Sequence, residues 1–201
     1  MDDSPVPALQ HDEIGRAADV IARAFHDDAL TVHLYPDGRE RARLAPLMFA
    51  ALVRYDHLFG QVDRLPGFTA VATWVRPGET TETPERLARA GFDELPDEVP
   101  LERLDAFFSV VERAVKGVAP GPHWHLRLLG VDPDHQGGGL GTALLNHGLG
   151  RAETTGHPCV LETFSERNVP FYLRNGFDLV VDDTEPATGL RFWGFCRPPQ
   201  R

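Results

Sequence analysis

The apolar positions of the N-terminal half recur mainly at helical spacing. Ile14, Ala17, Ile21 and Phe25 predict one helix, with Asp12 as its N-cap. The apolar run from Leu44 to Tyr55 predicts a second helix, with Pro46 in or near its first turn. A third helix is predicted over residues 101–115, and a short one near 84–90, inside a polar segment rich in Thr, Pro and acidic residues.

Strands are predicted where apolar residues form short or alternating runs bounded by turn residues. Pro66-Gly67 marks a turn, so a hairpin is expected there, with one strand over residues 68–75. Further strands are expected over residues 5–9, 125–131, 159–163, 177–181 and 190–196. Helices that alternate with strands in this order indicate an α/β (α+β) fold with a mixed sheet.

A glycine-rich turn joins the strand that ends at Val131 to the helix that follows. It reads Gln136, Gly137, Gly138, Gly139, Leu140, Gly141, Thr142. Such a turn leaves backbone N–H groups free at the positive end of a helix dipole, which favours binding of an anion, above all phosphate. Glycines also let a ligand approach the backbone, because no side chain intervenes.

Two common phosphate-binding loops do not fit this turn. A P-loop requires a lysine, and no lysine or arginine lies between His135 and Asn146. The dinucleotide pattern G-x-G-x-x-G lacks its third glycine. That position is Thr142 when the pattern starts at Gly137, and Leu144 when it starts at Gly139. Glu162 does lie at a strand end, and its separation in sequence from the glycine turn is close to that of the ribose-binding acid in a dinucleotide fold. That fold requires more than one βαβ unit, however, and only one is visible.

The pattern that fits is Gln-x-x-Gly-x-Gly, from Gln136 to Gly141, followed by Asn168-Val169-Pro170-Phe171-Tyr172 and Asn175-Gly176-Phe177. In these motifs the chain resembles the GNAT superfamily of N-acetyltransferases. The residues of the motifs are similar in particular to those of the puromycin N-acetyltransferase-like subgroup. The strong resemblance spans residues 123–178. It implies a mostly antiparallel sheet of about seven strands flanked by helices, with a splayed central strand pair at the CoA site.

The resemblance also implies a set of cofactor contacts, with acetyl-CoA as the acyl donor. The loop from Gln136 to Thr142 would hold the pyrophosphate, and the backbone of Leu129, Gly130 and Val131 would pair with pantetheine. Gly130 inside an apolar strand is a local sign of a bulge or a close approach. Asn168 would contact the pantetheine arm or cap its helix.

Three residues are candidates for acid–base catalysis. By resemblance, Tyr172 would protonate the leaving thiolate, and a phenol with a pKa of about 10 suits that step. Glu162 could take the amine proton directly or through water. His125, or His123, could do so instead, and a route through ordered water would need no single base.

Composition limits the partners. The chain has 201 residues and a net charge of −10, so we expect one domain (1–201), no nucleic acid and a preference for a cationic small molecule or peptide. Residues 10–122 would form the acceptor side and 123–201 the acetyl-CoA core. The absence of a membrane-length apolar run or a signal peptide favours the cytoplasm, where Cys159 and Cys196 would stay reduced. The histidines show no metal-ligand spacing, so no metal is expected.

These observations favour an acetyl-CoA-dependent N-acetyltransferase that acts on a primary amine of a small molecule, such as an antibiotic or another metabolite. Direct attack in a ternary complex is expected, with the chain a monomer or homodimer. Phe25, Tyr35, Trp74, Phe107, Phe108 and Trp124 could line the acceptor pocket. The alternatives are a non-catalytic acyl-CoA-binding module, acetylation of a peptide amine and, least of all, a dinucleotide-dependent oxidoreductase.

Overall fold

The computed structural model describes residues 6–79 and 82–199. Its six strands form one sheet in the order β1-β2-β3-β4-β6-β5. The strands are β1 (Gln61–Arg64), β2 (Ala70–Val75), β3 (Trp124–Val131), β4 (Cys159–Thr163), β5 (Asp178–Thr184) and β6 (Arg191–Arg197). Neighbouring strands are antiparallel except β3 and β4, so the predicted mixed, mostly antiparallel sheet is confirmed.

The sheet has one strand fewer than the seven expected. In place of a strand over residues 5–9, Ala8 forms an isolated antiparallel bridge with Asp63, and Pro5 lies outside the described residues. The hairpin at Pro66-Gly67 is confirmed, because β1 and β2 pair across it. Its second strand begins at Ala70 rather than Phe68, whose backbone has a positive φ of 61° in the turn.

The described residues form seven α-helices. They are α1 (Ile14–Ala24), α2 (Ala29–Leu34), α3 (Gly38–Phe59), α4 (Pro84–Arg89), α5 (Leu101–Val115), α6 (Leu140–Thr155) and α7 (Val169–Arg174). The helices expected near 84–90 and over 101–115 are confirmed. Within the described residues, no helix is long and apolar enough to cross a bilayer.

Two predicted helix starts are wrong. Asp12 does not cap α1, because it lies inside a short 3₁₀ turn that begins after Gln10. Helix α3 begins at Gly38, well before Pro46, so this proline lies inside the helix. The carboxylate of Asp37 accepts hydrogen bonds from the N–H groups of Arg39 and Glu40, and this capping allows the earlier start.

The two faces of the sheet bury separate hydrophobic clusters. Helices α1, α3 and α5 cover one face through residues such as Ile21, Met48 and Phe107; it is called here the acceptor face, after the acceptor side expected for residues 10–122. Helix α6 covers the opposite face, where Leu144, Leu145 and others pack with Trp74. At 1.5–3 kcal/mol per buried large side chain, such burial is the main stabilising contribution on each face.

Helix α1 also contacts the segment that follows β3. The guanidinium of Arg23 donates to Asp132 Oδ1 at 2.9 Å and to Asp134 Oδ2 at 2.8 Å. The same helix packs directly on Gly130, where an added Cβ would lie 2.9 Å from Ile21 Cδ1 and 3.0 Å from Ala24 Cβ. Any side chain at position 130 would therefore push α1 away from β3.

The contact between Gly148 and Trp74 generates a stability prediction. An added Cβ at Gly148 would overlap the buried indole, whereas Gly150 on the same helix has open space. We expect Gly148→Ala to lower the free energy of unfolding by about 1–3 kcal/mol through overpacking. Gly150→Ala should raise it by about 0.5–1 kcal/mol, because alanine favours the helix.

Urea unfolding followed by circular dichroism measures both variants against the native chain. Equal effects of the two substitutions would contradict close packing of α6 on Trp74.

Candidate functional site

The glycine turn lies exposed between β3 and α6. Gly137 and Gly139 have φ angles of 82° and 79°, a conformation that glycine adopts without strain. Gly139 is the N-cap of α6, and no side chain caps this helix start. Added Cβ atoms at Gly137 and Gly139 would meet no neighbour within 4 Å, so the space over the loop is open. Backbone N–H groups at the start of α6 can therefore face an anion.

Gln136 has a different place from its loop neighbours. Its side-chain amide donates a hydrogen bond to the backbone carbonyl of Val131 at 3.1 Å. This bond ties the start of the turn back to the end of β3. The side chain of Gln136 thus helps to hold the shape of the loop.

The strands β3 and β4 separate soon after they pair. Their parallel register is limited to Trp124 with Cys159 and His125 with Val160, although β3 continues to Val131. The edge of β3 that faces β4 is therefore unpaired with β4 along Leu129, Gly130 and Val131. The expected splayed strand pair is present, and this edge can pair with an extended ligand.

The bulge in β3 is not at Gly130. Thr73 pairs with Leu128 and Trp74 pairs with Leu126, so Arg127 is the extra residue. Gly130 pairs in regular register with Val71. Of the two explanations for a glycine in this strand, a bulge or a close approach, the structure favours the second. Gly130 allows α1 to approach β3 closely.

Tyr172 lies on α7 in an aromatic cluster. Its ring centroid is 5.1 Å from that of Phe171, 5.4 Å from Phe195 and 5.9 Å from Phe177. Burial, with a smaller contribution from the charge of Asp28, raises the pKa of Tyr172 well above its ordinary value. The phenol is thus protonated at neutral pH but is a weaker acid than the sequence suggested.

Asn168 is the N-cap residue of α7, but its side chain makes no capping hydrogen bond. Its amide instead donates to the Thr163 hydroxyl at 3.0 Å. Thr163 is the last residue of β4, so this hydrogen bond joins the start of α7 to the strand that diverges from β3.

His125 and Glu162 are in direct contact. His125 Nε2 donates to Glu162 Oε2 at 2.7 Å, across the point where β3 and β4 begin to diverge. Burial lowers the pKa of His125, but the charge and hydrogen bond of Glu162 more than offset this, so it lies above its ordinary value. Burial raises the pKa of Glu162, but the charge and hydrogen bond of His125 more than offset this effect. The pKa of Glu162 is therefore below its ordinary value.

The two candidate bases are therefore one unit, in which each group stabilises the charged form of the other. His123 lies outside this contact, with its Nδ1 2.9 Å from the carbonyl oxygen of Gly121, and it acts on Glu162 only through its charge.

Further charged residues surround this pair, and the sequence analysis missed them. Arg127 lies 2.9 Å from Glu82 Oε1 through Nη2, and 3.6 Å from Asp56 Oδ1 through Nε. Glu112 of α5 faces the same region; burial, and then the charges of Glu82 and Glu162, raise its pKa. Carboxylates outnumber basic groups here, which favours a cationic ligand.

Most of the aromatic residues expected in an acceptor pocket are core residues. Trp74 and Trp124 belong to the cluster under α6, on the opposite face of the sheet from the cluster of α1, α3 and α5. Tyr35 and Phe107 are almost fully buried on the acceptor face. Phe25 and Phe108 are only partly buried there.

Residues 105–179 match a family model described as an acetyltransferase (GNAT) domain. This range runs from α5 into β5 and includes the glycine turn, His125, Glu162 and Tyr172. The dinucleotide alternative is wrong, because the sheet has one parallel strand pair among its described strands rather than a doubly wound parallel order.

Solved acetyltransferases have a similar fold. A Corynebacterium glutamicum protein, described as histone acetyltransferase HPA2 and related acetyltransferase, is 22% identical, with 98% of this chain and 96% of that chain covered and a TM-score of 0.67. For an agmatine N-acetyltransferase, the identity is 17%, the coverage 98% and 100%, and the TM-score 0.65. The Drosophila melanogaster polyamine N-acetyltransferase is 17% identical, with 96% of this chain and 99% of that chain covered and a TM-score of 0.64.

The sheet with its flanking helices thus has the GNAT fold. The domain match and these neighbours together support an N-acetyltransferase.

The contact between His125 and Glu162 predicts a pH-dependent contribution to stability. The raised pKa of His125 stabilises the fold below about pH 6.5, and this contribution is lost as pH rises through the raised value. The lowered pKa of Glu162 stabilises it above about pH 4.5, and this contribution is lost as pH falls through the lowered value. We expect Glu162→Gln to cost about 1.5–3 kcal/mol near pH 6 and clearly less near pH 9.

Denaturant unfolding at the two pH values measures this difference. A cost that is the same at both would mean that the contact is not an ion pair.

Proposed function

We propose that this chain is an acetyl-CoA-dependent N-acetyltransferase that acts on a primary amine of a small molecule, by direct attack within a ternary complex. The arrangement of three features around the diverging strands supports this most. The glycine turn lies at one end of the unpaired β3 edge, the His125–Glu162 pair lies at the other, and Tyr172 follows on α7. The residues of the sequence motifs further suggest a relationship to the puromycin N-acetyltransferase-like subgroup.

Acetyl-CoA would bind along this edge. The backbone N–H groups of residues 137–142 would bind the pyrophosphate, since they lie at an uncapped helix start. The unpaired backbone of Leu129, Gly130 and Val131 would pair with pantetheine, which directs the thioester toward the His125–Glu162 pair. A main-chain N–H there would face the thioester oxygen and stabilise the charge that develops on it.

The reaction moves two protons when the amine arrives as an ammonium ion. The His125–Glu162 pair, once it has lost its own proton, accepts one proton and leaves the neutral amine. The amine nitrogen then forms a bond to the thioester carbon, and the carbon–sulfur bond breaks. The second amine proton passes to solvent as the amide forms, while Tyr172 donates its proton to the thiolate and takes a proton back from solvent afterwards. The products are an acetylated amine and CoA.

The acceptor would be a cation for an electrostatic reason. Glu82, Glu112 and Glu162 lie close enough to interact through their charges, and Arg127 with His125 balances only part of them. A small ammonium ion would be attracted to such a region. Two of the structural neighbours are, by their descriptions, an agmatine and a polyamine N-acetyltransferase, which is consistent with a cationic acceptor here.

A panel of amines tests this function. Acetyl-CoA is supplied with monoamines, diamines, amino sugars, puromycin and short peptides, and release of free thiol is followed. We expect turnover that depends on an amine and is faster for small cationic amines than for peptide N-termini. CoA binding without turnover on any amine would leave only a binding module, and faster turnover on peptides would replace the small-molecule acceptor with a peptide.

Tyr172→Phe tests the proton donor. Loss of the hydroxyl should lower kcat by about 10²-fold, the usual range for loss of a general acid, with little change in the dissociation constant of CoA. Tyr35→Phe is the matched control, because this buried hydroxyl contacts Met48 Sδ in the core on the other side of the sheet from α6. If Tyr172→Phe turns over like the control, the leaving thiolate takes its proton from another group.

Gly139→Glu tests the cofactor loop. The substitution adds a negative charge and strains a position with a φ of 79°, so the dissociation constant of CoA should rise at least about tenfold. Gly150→Glu adds the same charge to an open position farther along α6 and should leave CoA binding close to native. Gly139→Ala should lie between them, which separates strain from charge. Calorimetric titration of CoA into each variant gives the three constants, and equal constants for Gly139→Glu and Gly150→Glu would place the pyrophosphate elsewhere.

A further inference from the structure

The β3 bulge brings Arg127 onto the same face as His125. Because Arg127 is the extra residue, it and Leu128 both lie on the acceptor face. The guanidinium also stacks on the ring of Tyr55, with its carbon 5.1 Å from the centroid. It is 18% exposed, so its charge is screened little by solvent.

Behind Arg127 lies the carboxylate of Asp56 on α3. Asp56 is 0% exposed, and neither of its oxygens has a hydrogen-bond partner of good geometry within the described part of the chain. The Thr73 hydroxyl faces the carboxylate of Asp56, but the two groups do not meet the geometry of a hydrogen bond. Burial raises the pKa of Asp56, and the charge of Arg127, whose Nε lies 3.6 Å from Asp56 Oδ1, opposes this shift and favours the charged carboxylate. A buried carboxylate with so few partners adds little to stability, which points to a role beyond packing.

Charges from several elements face His125. They are Glu162 on β4, Arg127 on β3, Asp56 on α3 and Glu112 on α5, and Glu82, before α4, pairs with Arg127. His123 acts on Glu162 from the start of β3. Of these, Asp56 and Arg127 form a buried pair of opposite sign, so each opposes the effect of the other on His125.

We propose that Asp56 is a positioning residue for acetyl transfer: with Arg127, it sets the electric field that determines when the His125–Glu162 pair gives up its proton. The inference rests on the proposed function, in which that pair must lose its proton before it can accept one from the amine. Asp56 itself touches neither the amine nor the cofactor.

The two charges predict shifts of opposite sign. Asp56→Asn removes a negative charge, so His125 loses its proton more easily and the acid limb of the kcat profile moves to lower pH. Arg127→Gln removes a positive charge and moves the limb to higher pH. Each shift should be about 0.5–1 pH unit, as expected for one charge at partly buried distances. The double variant should return close to the native limb, and Asp56→Glu should stay near it.

The pKa of His125 is measured separately by NMR titration, which requires no turnover. It should move in the same direction as the acid limb in each variant. Asp63→Asn is the matched control, because Asp63 is an equally buried carboxylate that binds Arg151 on α6. This control should lower thermal stability without moving the pKa of His125.

The outcomes separate the two proposals. If the native chain acetylates no amine, the proposed function fails, while the NMR shifts still report the field. Shifts that are absent, or of the same sign in both single variants, would overturn the inference. So would NMR shifts without a matching change in the acid limb. If a single variant does not fold, the double variant, which removes both buried charges together, still has to restore the native pKa.

Discussion

The divergence of β3 from β4 is the constraint on which the rest of the site depends. Two pairs of residues join these strands, and beyond them β3 keeps pairing only with β2. A strand edge with unpaired N–H and C=O groups is costly unless something else pairs with it, and in a buried location that partner must be extended and polar. The same divergence leaves room for His125 and Glu162 to meet across the gap.

Under the proposed function, the two faces of the sheet have separate tasks. Helix α6 carries the glycine turn and packs on Trp74 and its neighbours, whereas α3 and α5 supply Asp56 and Glu112 to the opposite face. The donor and the acceptor would thus meet from two sides of one sheet. If α3 and α5 bind the acceptor, acceptor preference could change through them without altering the packing of α6, since the two clusters have no residue in common among those described.

The sequence predicted the parts that depend on local chemistry. The glycine turn, the helix after it and the hairpin at Pro66-Gly67 follow from the conformations that glycine and proline allow. The start of α3 was misplaced because Pro46 resembles a first-turn proline, while the carboxylate of Asp37 provides a better cap upstream. The sequence left open whether Gly130 marks a bulge or a close approach, because the helix that needs glycine there, α1, is distant in sequence.

The charged groups around His125 could not be predicted in the same way. Asp56 and Arg127 come from a helix and a strand far apart in the chain, and neither lies in a motif. An aspartate in a helix and an arginine in a strand are usually exposed residues, so their burial is visible only after the tertiary structure is known. Contact between His125 and Glu162 likewise depends on the parallel register of β3 and β4.

The two hydrogen bonds from Arg23 have a consequence for the approach of an anion. Asp132 and Asp134 stand just before the glycine turn, where two uncompensated carboxylates would repel a pyrophosphate. Arg23 neutralises one of these two charges, and it does so from α1, a helix of the acceptor face. A net charge of −10 is therefore compatible with a pyrophosphate at the start of α6, because the fold itself neutralises one of the two carboxylates before the turn.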